Sequence, residues 1–234
     1  LISFDQSPFY AESGGQVGDQ GIFSSANGRG QVLDCIKLGK IFVHKIFLEE
    51  GSISIKDKVK LEVNPSKRNA ATAHHSATHL MHAALKHVLG NHVEQKGSLV
   101  DSTKLRFDFS HPKAVTKDEV KEIESIVNLH TLNNSAVTTE LMKLDDAIAS
   151  GAEAMFGEKY EDEVRVLSMG DGFSVELCGG THVTRTGDIG MFIITSESSV
   201  SSGVRRIEAV VGSDAINLIL EMRNQLQATQ ILLN

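Results

Sequence analysis

The spacing of apolar positions changes twice along the chain and divides it into three stretches. Over the first 63 residues the apolar positions come in short runs separated by Gly, Ser, Asn and Asp, the pattern of strands and tight turns. Residues 1–4 open strand-like. Residues 6–19 are too rich in turn formers for a helix. Residues 31–38 and 41–48 are β-rich runs joined by Gly39-Lys40, a two-residue hairpin connection. Residues 58–63 alternate polar and apolar and add another strand. Cys35 sits in mid-run and reads as inert core. Several short strands with tight turns predict a small barrel.

Asn64-Pro65-Ser66 marks a boundary, because the residue before a proline avoids helical backbone. A helix follows, rich in Ala, Leu and Met and free of Gly and Pro until Gly90. Residues 92–100 and 104–109 read as a hairpin, in which Leu105, Phe107 and Phe109 alternate with Arg106 and Asp108 and so share a buried face. Thr116 and Glu119 form a capping box, and Val120, Ile123, Ile126 and Val127 behind it make an amphipathic helix. A strand at 136–141 and a short helix at 144–149 come next, then strands at 164–169, 173–177, 190–197 and 204–211. Strands and helices in this mixed order predict an α+β two-layer core. From Ser213 onward the chain reads as helix, with Ile219, Met222, Leu226 and Leu233 near a heptad seam that lacks a partner. The expected organisation is therefore a barrel-like subdomain at 1–64, a core at 65–212 and a connector helix at 213–234. The chain opens on Leu inside a strand-like run, so a piece of a longer polypeptide is expected.

Composition narrows the picture. A chain of 234 residues with 41% hydrophobic content supports one large or two small domains. A net charge of −7 gives no global basic field, so any polyanionic partner must be met by local Lys and Arg. Cys35 and Cys178 are the only cysteines, which argues against a disulfide framework and for a reducing compartment. No apolar run reaches the roughly 20 residues that span a bilayer, and no signal peptide is visible. A cytoplasmic protein without a membrane partner is expected.

The chemistry centres on His75-Ser-Ala-Thr-His79. Residues four apart share a helix face, so both imidazoles point at one spot. Far downstream, Cys178-Gly-Gly-Thr-His182 follows a strand-like run on a loop that its glycines allow to bend sharply. If the two pairs meet, they supply three imidazoles and one thiolate, a donor set that suits tetrahedral Zn²⁺. The helix lacks the glutamate of a His-Glu-x-x-His metalloprotease, so that reaction has no general base here. His74 points about 100° away from His75 on a helix. His82 lies on the His75/His79 stripe but reads as packing or as support for a ligand. The loop from Ser13 to Asp19 is either a plain turn cluster or a backbone surface, at Gly14 and Gly15, that a ligand can approach.

Taken with Pro8-Phe-Tyr-Ala-Glu-Ser-Gly-Gly-Gln16, Gln95-Lys-Gly-Ser98, Leu105-Arg-Phe-Asp-Phe109, Phe156-Gly-Glu-Lys-Tyr160, Glu176-Leu-Cys-Gly-Gly-Thr-His182 and Gly203-Val-Arg-Arg-Ile-Glu-Ala209, these pairs resemble one family over nearly the whole chain. It is the editing domain of alanyl-tRNA synthetases, shared with free-standing AlaX-type editing proteins. The segments look more like the synthetase-embedded form, and the His/Cys pairs are also similar to the threonyl-tRNA synthetase editing domain. The resemblance implies a small barrel-like subdomain and an α/β core holding one zinc on His75, His79, Cys178 and His182. It implies hydrolysis of the ester joining serine or glycine to tRNA(Ala), with Gln95 at a position associated with editing. The ATP-dependent aminoacylation module has no counterpart, so the chain is expected to edit rather than charge, with tRNA(Ala) and further synthetase domains as partners.

For that reaction Gln95 and nearby backbone amides would place the water, and the Gly179 and Gly180 N–H groups would face the oxyanion. Thr181 and Asp19, by residue type, would accept a serine hydroxyl. Lys67, Arg68, Lys96 and Arg205 are candidates for tRNA phosphates, while Arg206 beside Ile207-Glu208 is assigned to a structural pair. Two other readings stay open: a non-catalytic zinc-stabilised tRNA-binding module, and a cysteine hydrolase built on Cys178 and His182.

Overall fold

Pro65 fixes where the first helix starts. The computed structural model describes residues 1–154 and 161–233, so the Phe156–Tyr160 motif lies outside the described residues. In chain order the elements begin with β1 (Gly21–Ser25), β2 (Gly28–Leu38), β3 (Ile41–Gly51) and β4 (Val59–Val63). They continue with α1 (Pro65–Leu89), β5 (Gln95–Val100), β6 (Leu105–Ser110) and α2 (Lys117–Asn133). Then come β7 (Thr138–Lys143), α3 (Leu144–Ala149), β8 (Glu163–Met169) and β9 (Ser174–Leu177). A 3-10 turn (Thr186–Ile189), β10 (Phe192–Ser201), β11 (Val204–Val211) and α4 (Gly212–Leu233) complete the order.

Asn64 caps α1 from extended backbone, its side chain accepting from Lys67 N–H at 3.1 Å, and Pro65 loses no hydrogen bond in the first turn. Residues 74–82 are buried without a break. A helix covered all round needs partners on several sides. Leu80, Met81, Ala84 and Leu85 pack with Phe107 and Phe109 of β6, Ile207 and Ala209 of β11, and Ile123 and Val127 of α2. Each large apolar side chain buried there contributes about 1.5–3 kcal/mol. The sheet under α1 is antiparallel, in the order β10-β11-β6-β5. The capping box on α2 forms as the sequence predicts, with Thr116 and Glu119 bonding each other's backbone.

The N-terminal strands form an open sheet, order β3-β2-β1-β4, around Phe9, Phe23, Val32 and Cys35. The barrel expected over residues 1–64 is therefore corrected: β3 and β4 are outer strands, and among the described residues no ladder joins them. Four strands in this arrangement are too few to close. The sequence reading also missed β1, which sits between β2 and β4. Gly21 and two serines give β1 little strand propensity, yet a Cβ on Gly21 would lie 2.1 Å from the Glu62 carbonyl oxygen. A third sheet, β7-β8-β9, packs with α3 around Ala147, Val166 and Leu177. The whole is a mixed α/β fold of antiparallel sheets, with four α-helices among the described residues. None of those helices is long and apolar enough to cross a membrane. Along α4, Ile219, Met222, Leu226 and Leu233 are all exposed.

Among the described residues, two of the joints between the N-terminal part and the core lie next to the Gln16 loop. The loop ending at Gln16 lies along β5, with Val100 N–H donating to Gly15 O at 2.7 Å and Val17 N–H to Val100 O at 3.0 Å. Gly15 has φ +83°, and a Cβ there would sit 2.8 Å from the Ser98 carbonyl oxygen. On its Cβ side Gly15, expected to open a surface to a ligand, is pressed against the protein's own strand. The second joint is Arg68 of α1, whose guanidinium grips both oxygens of the buried Asp19 and also donates to Pro8 O at 2.9 Å. Behind the site, His74 donates from Nδ1 to Ala70 O at 2.9 Å and accepts the Val211 N–H at Nε2. Burial holds His74 below its ordinary value, so it is neutral in the fold.

Replacing Arg68 by Leu leaves Asp19 buried and unpaired, and is expected to cost about 2–4 kcal/mol in urea unfolding. Adding Asp19→Asn should recover a large part of that loss; no recovery would show that the joint does not carry the effect. His74 fixes a pH dependence. Its folded value lies below the unfolded 6.5, so the unfolded chain binds the extra proton and stability falls as pH drops below about 6.5. Unfolding free energies from urea titrations of metal-free protein between pH 7 and 5 should fall more steeply for the native chain than for His74→Gln, by at most about 1.4 kcal/mol per pH unit.

Candidate metal centre

His75 and His79 lie one turn apart on α1, with centroids 5.1 Å apart and nearly parallel rings. The Cys178–His182 loop leaves the end of β9 and turns back over them. Cys178 Sγ is 3.6 Å from His75 Nε2 and 3.2 Å from His182 Nε2. The donor atoms of all four residues lie within 4.8 Å of one another. In a tetrahedral site with metal–sulfur about 2.3 Å and metal–nitrogen about 2.0 Å, sulfur and nitrogen stand about 3.5 Å apart. The observed separations straddle that value.

What aims the four donors is a set of partners on the far side of each ring. Gln16 Oε1 accepts from His75 Nδ1 at 2.7 Å. Glu176 Oε2 accepts from His79 Nδ1 at 2.5 Å. Ser76 Oγ donates to Thr72 O, so it accepts from His182 Nδ1 at 3.2 Å. With every Nδ1 carrying its proton toward a partner, every Nε2 presents a lone pair to the common centre. His79 Nε2 is buried there with no hydrogen-bond partner among the described residues. The Gly180 N–H donates to Sγ at 3.4 Å and Gly180 O accepts from Arg165 at 2.6 Å. A Cβ on Gly180 would lie 2.1 Å from His75 Cε1, so only glycine lets the loop close over the ring.

The electrostatics are those of the side chains alone, in which protons occupy the positions where the lone pairs would meet a metal. Burial alone would raise the Cys178 thiol, but the positive charge of the surrounding imidazoles, His75 and His79 first, holds it well below its ordinary value. Burial would likewise raise Glu176, yet His79 and His82 keep it ionised far down the pH scale. Burial opposes a charge on His79, while Glu176 and the Cys178 thiolate overcome it and raise His79 well above 6.5. Burial pushes His182 down to about 3. A positive charge beside a thiolate, ringed by neutral imidazole nitrogens, is what a bound metal cation supplies to such a site. The four residues fit a metal ion.

The other expected residues divide into two groups. Gly14, Gly179, Gly180 and Thr181 line a cleft of about 480 Å³ together with His75, Cys178 and Lys37. Of the two amides expected to face an oxyanion, that of Gly180 is committed to Sγ, whereas Gly179 borders open space. Gln95 lines a separate cavity of about 280 Å³ with His82, Glu153 and Glu176. His82 donates from Nδ1 to Glu176 Oε1 at 3.0 Å, so it supports Glu176. The donor atoms of His82, Glu153 and Glu176 also lie within 4.8 Å of one another, but Glu176 is shared with His79 and Glu153 is paired with Lys86. Asp19, expected to meet a serine hydroxyl, is held by Arg68 and by the Tyr10 N–H at 2.6 Å. Among the proposed phosphate ligands, Lys67 bonds Gln20, Arg68 bonds Asp19, Lys96 pairs with Glu94 and Arg205 forms a two-armed pair with Glu197. Arg206 forms such a pair with Asp108, as the sequence predicts. Sequence reasoning gave no role to Gln16 or Glu176, although both stand inside quoted motifs; polar side chains flanked by glycines or by buried strand positions are the signal that could have found them.

Gly180→Ala is expected to expel bound metal while leaving the far-ultraviolet circular dichroism unchanged. Glu176→Gln should weaken metal binding about 10- to 100-fold, because it removes the charged partner of His79. Metal content after dialysis against a graded chelator checks both; undiminished retention in either would break the link between these residues and the centre.

A family model described as "Threonyl and Alanyl tRNA synthetase second additional domain" matches residues 164–208, which include β9, Cys178 and His182. A second, "tRNA synthetases class II (A)", matches residues 1–67. The chain is 53% identical over 226 residues to an alanine–tRNA ligase of Pseudoalteromonas translucida. It is 53% identical over 227 residues to one of Pseudomonas fluorescens, and 54% over 233 residues to one of Saccharophagus degradans. These matches cover 97–100% of the chain but only 26–27% of the relatives' own length. Along nearly its whole length, at more than half of its positions, the chain is a relative of the alanyl-tRNA synthetases, the family its motifs resemble.

Proposed function

We propose that the chain is an editing deacylase of the alanyl-tRNA synthetase type, hydrolysing the ester of seryl- and glycyl-tRNA(Ala). The observation that carries this reading is the three-imidazole, one-thiolate cluster on the wall of a cleft large enough for an aminoacylated nucleotide. Nitrogen and sulfur donors in tetrahedral spacing select zinc, one per chain, on His75, His79, Cys178 and His182. A bound zinc supplies Lewis acidity at the cleft wall and fixes the loop that carries Gly179 to Thr181.

The chain's own residues have defined tasks. Gln16, Glu176 and Ser76 orient the rings. Gly179 offers its backbone beside open space for the ester, and Gly14 forms part of the facing wall. Gln95 shares a cavity with His82 and Glu176, beside the His79 arm of the centre, and its part is to place the water from that side. Lys37 is exposed at the cleft and supplies a cation near the 3′ end of the tRNA. Lys67, Lys96 and Arg205 would have to exchange their present partners to bind phosphate. Partners are tRNA(Ala) and the remaining domains of a synthetase, which alone would use ATP, in the cytoplasm. Editing is needed because a pocket sized for alanine excludes glycine by only about 1–3 kcal/mol.

A second reading rests on the donor count. Four protein ligands close a tetrahedral site, the mark of a structural metal, and would make the chain a tRNA-binding module without hydrolysis. The deciding experiment incubates the chain with seryl-, glycyl- and alanyl-tRNA(Ala) and quantifies zinc in the same samples. Loss of the seryl and glycyl esters, with alanyl-tRNA spared and about one zinc per chain, is the expected outcome. Full zinc with no ester lost would establish the binding module instead.

A further inference from the structure

Thr181 stands on the cleft wall between Gly180 and the metal ligand His182. Its hydroxyl is unusual in being acceptor-saturated. Gln16 Nε2 donates to Thr181 Oγ1 at 2.8 Å, and Thr72 Oγ1 donates to it at 2.9 Å. A hydroxyl oxygen has two acceptor positions and one proton. Both acceptor positions are taken, so the proton is what Thr181 has left to give.

The Gln16 amide cannot turn round to undo this. Its Oε1 accepts from the Thr181 N–H at 3.0 Å and from His75 Nδ1 at 2.7 Å. Reversing the amide would set its NH₂ against the Thr181 N–H, donor against donor. One glutamine, itself buried, therefore fixes the tautomer of His75 and the polarity of Thr181 together.

We propose that Thr181 is a dedicated hydrogen-bond donor in the cleft, held in that state by Gln16 and Thr72, and that it reads the side-chain oxygen of an esterified serine. This rests on the deacylase reading and deepens it. It also reverses the expectation drawn from residue type, in which Thr181 accepts from the serine. A seryl ester presents an oxygen to this donor, whereas glycyl and alanyl esters present none. Thr181 would then favour the seryl ester without excluding glycine, which is admitted by its size. A site built around a hydroxyl loses its preference when the bond is removed.

The test measures kcat/KM of the whole chain, with zinc quantified, on seryl- and glycyl-tRNA(Ala). Thr181→Val keeps the shape and removes the donor; the seryl-to-glycyl ratio is expected to fall about 10-fold or more, mainly in the seryl KM. Thr181→Ser restores the hydroxyl and should restore most of the ratio. Thr72→Val changes no residue of the ligand loop but frees Thr181 to accept, and should lower the ratio several-fold, which secures the result even if Thr181→Val sheds zinc. A ratio unchanged within about 2-fold in Thr181→Val and in Thr72→Val, with zinc retained, would overturn the assignment. So would an equal fall on both esters, which would place the bond on the ester group. If the native chain cleaves neither ester, it is the deacylase reading that fails, and this inference falls with it.

Discussion

Three imidazoles brought to one point must each present the same nitrogen, and a neutral ring does not choose by itself. The choice is made by a hydrogen bond at the opposite nitrogen, and most of the architecture can be traced from that requirement. Glu176 serves His79, Ser76 serves His182 and Gln16 serves His75. Glu176 is the costliest of the three, a buried carboxylate that is tolerated because His79 and His82 both donate to it. That explains why β9 buries Glu176, and why α1 carries a third histidine on the same stripe as His75 and His79.

Gln16 extends the requirement to the N-terminal sheet. The residue comes from a loop outside the helical core, so the centre is complete only when that loop is seated. Gly15 seats it against β5, and the Asp19–Arg68 pair ties the following turn to α1. These joints look remote from the chemistry, yet they set the position of the amide that orients His75 and Thr181. A change at the joint of loop and strand should thus reach the metal through one side chain rather than through general loosening.

Much of this was legible in the sequence, for physical reasons that also mark where legibility stopped. The His75/His79 spacing is a local helical repeat, and the Asn64-Pro65 start and the Thr116–Glu119 box act within one turn, so short-range rules place them. The strand β1 was missed because Gly21 is chosen by close backbone approach to Glu62, which no local propensity records. The barrel failed because closure depends on strand pairing over long range. Asp19, Arg68 and Arg205 are polar residues whose partners lie elsewhere in the fold, and sequence alone cannot separate a paired charge from a waiting one. Gln16 and Glu176 act on the ligands rather than on the metal, so ligand spacing gives no hint of them.

The cluster also bears on stability. Packing a thiolate, a carboxylate and four imidazoles into one interior is unfavourable unless each proton and lone pair is matched. Hydrogen bonds match the outer side of every ring, but the inner side gathers three lone pairs and a thiolate, with His79 Nε2 buried and unpartnered. A cation is the one species that satisfies all four at once. The free energy of binding it is then also free energy of folding for the region that joins α1, β9 and the N-terminal loop. It follows that the donor set does not need to be catalytic to be indispensable. A metal held there would lock the loop that carries Gly179 and Thr181, and the chemistry proposed for the cleft would be built on that locked surface.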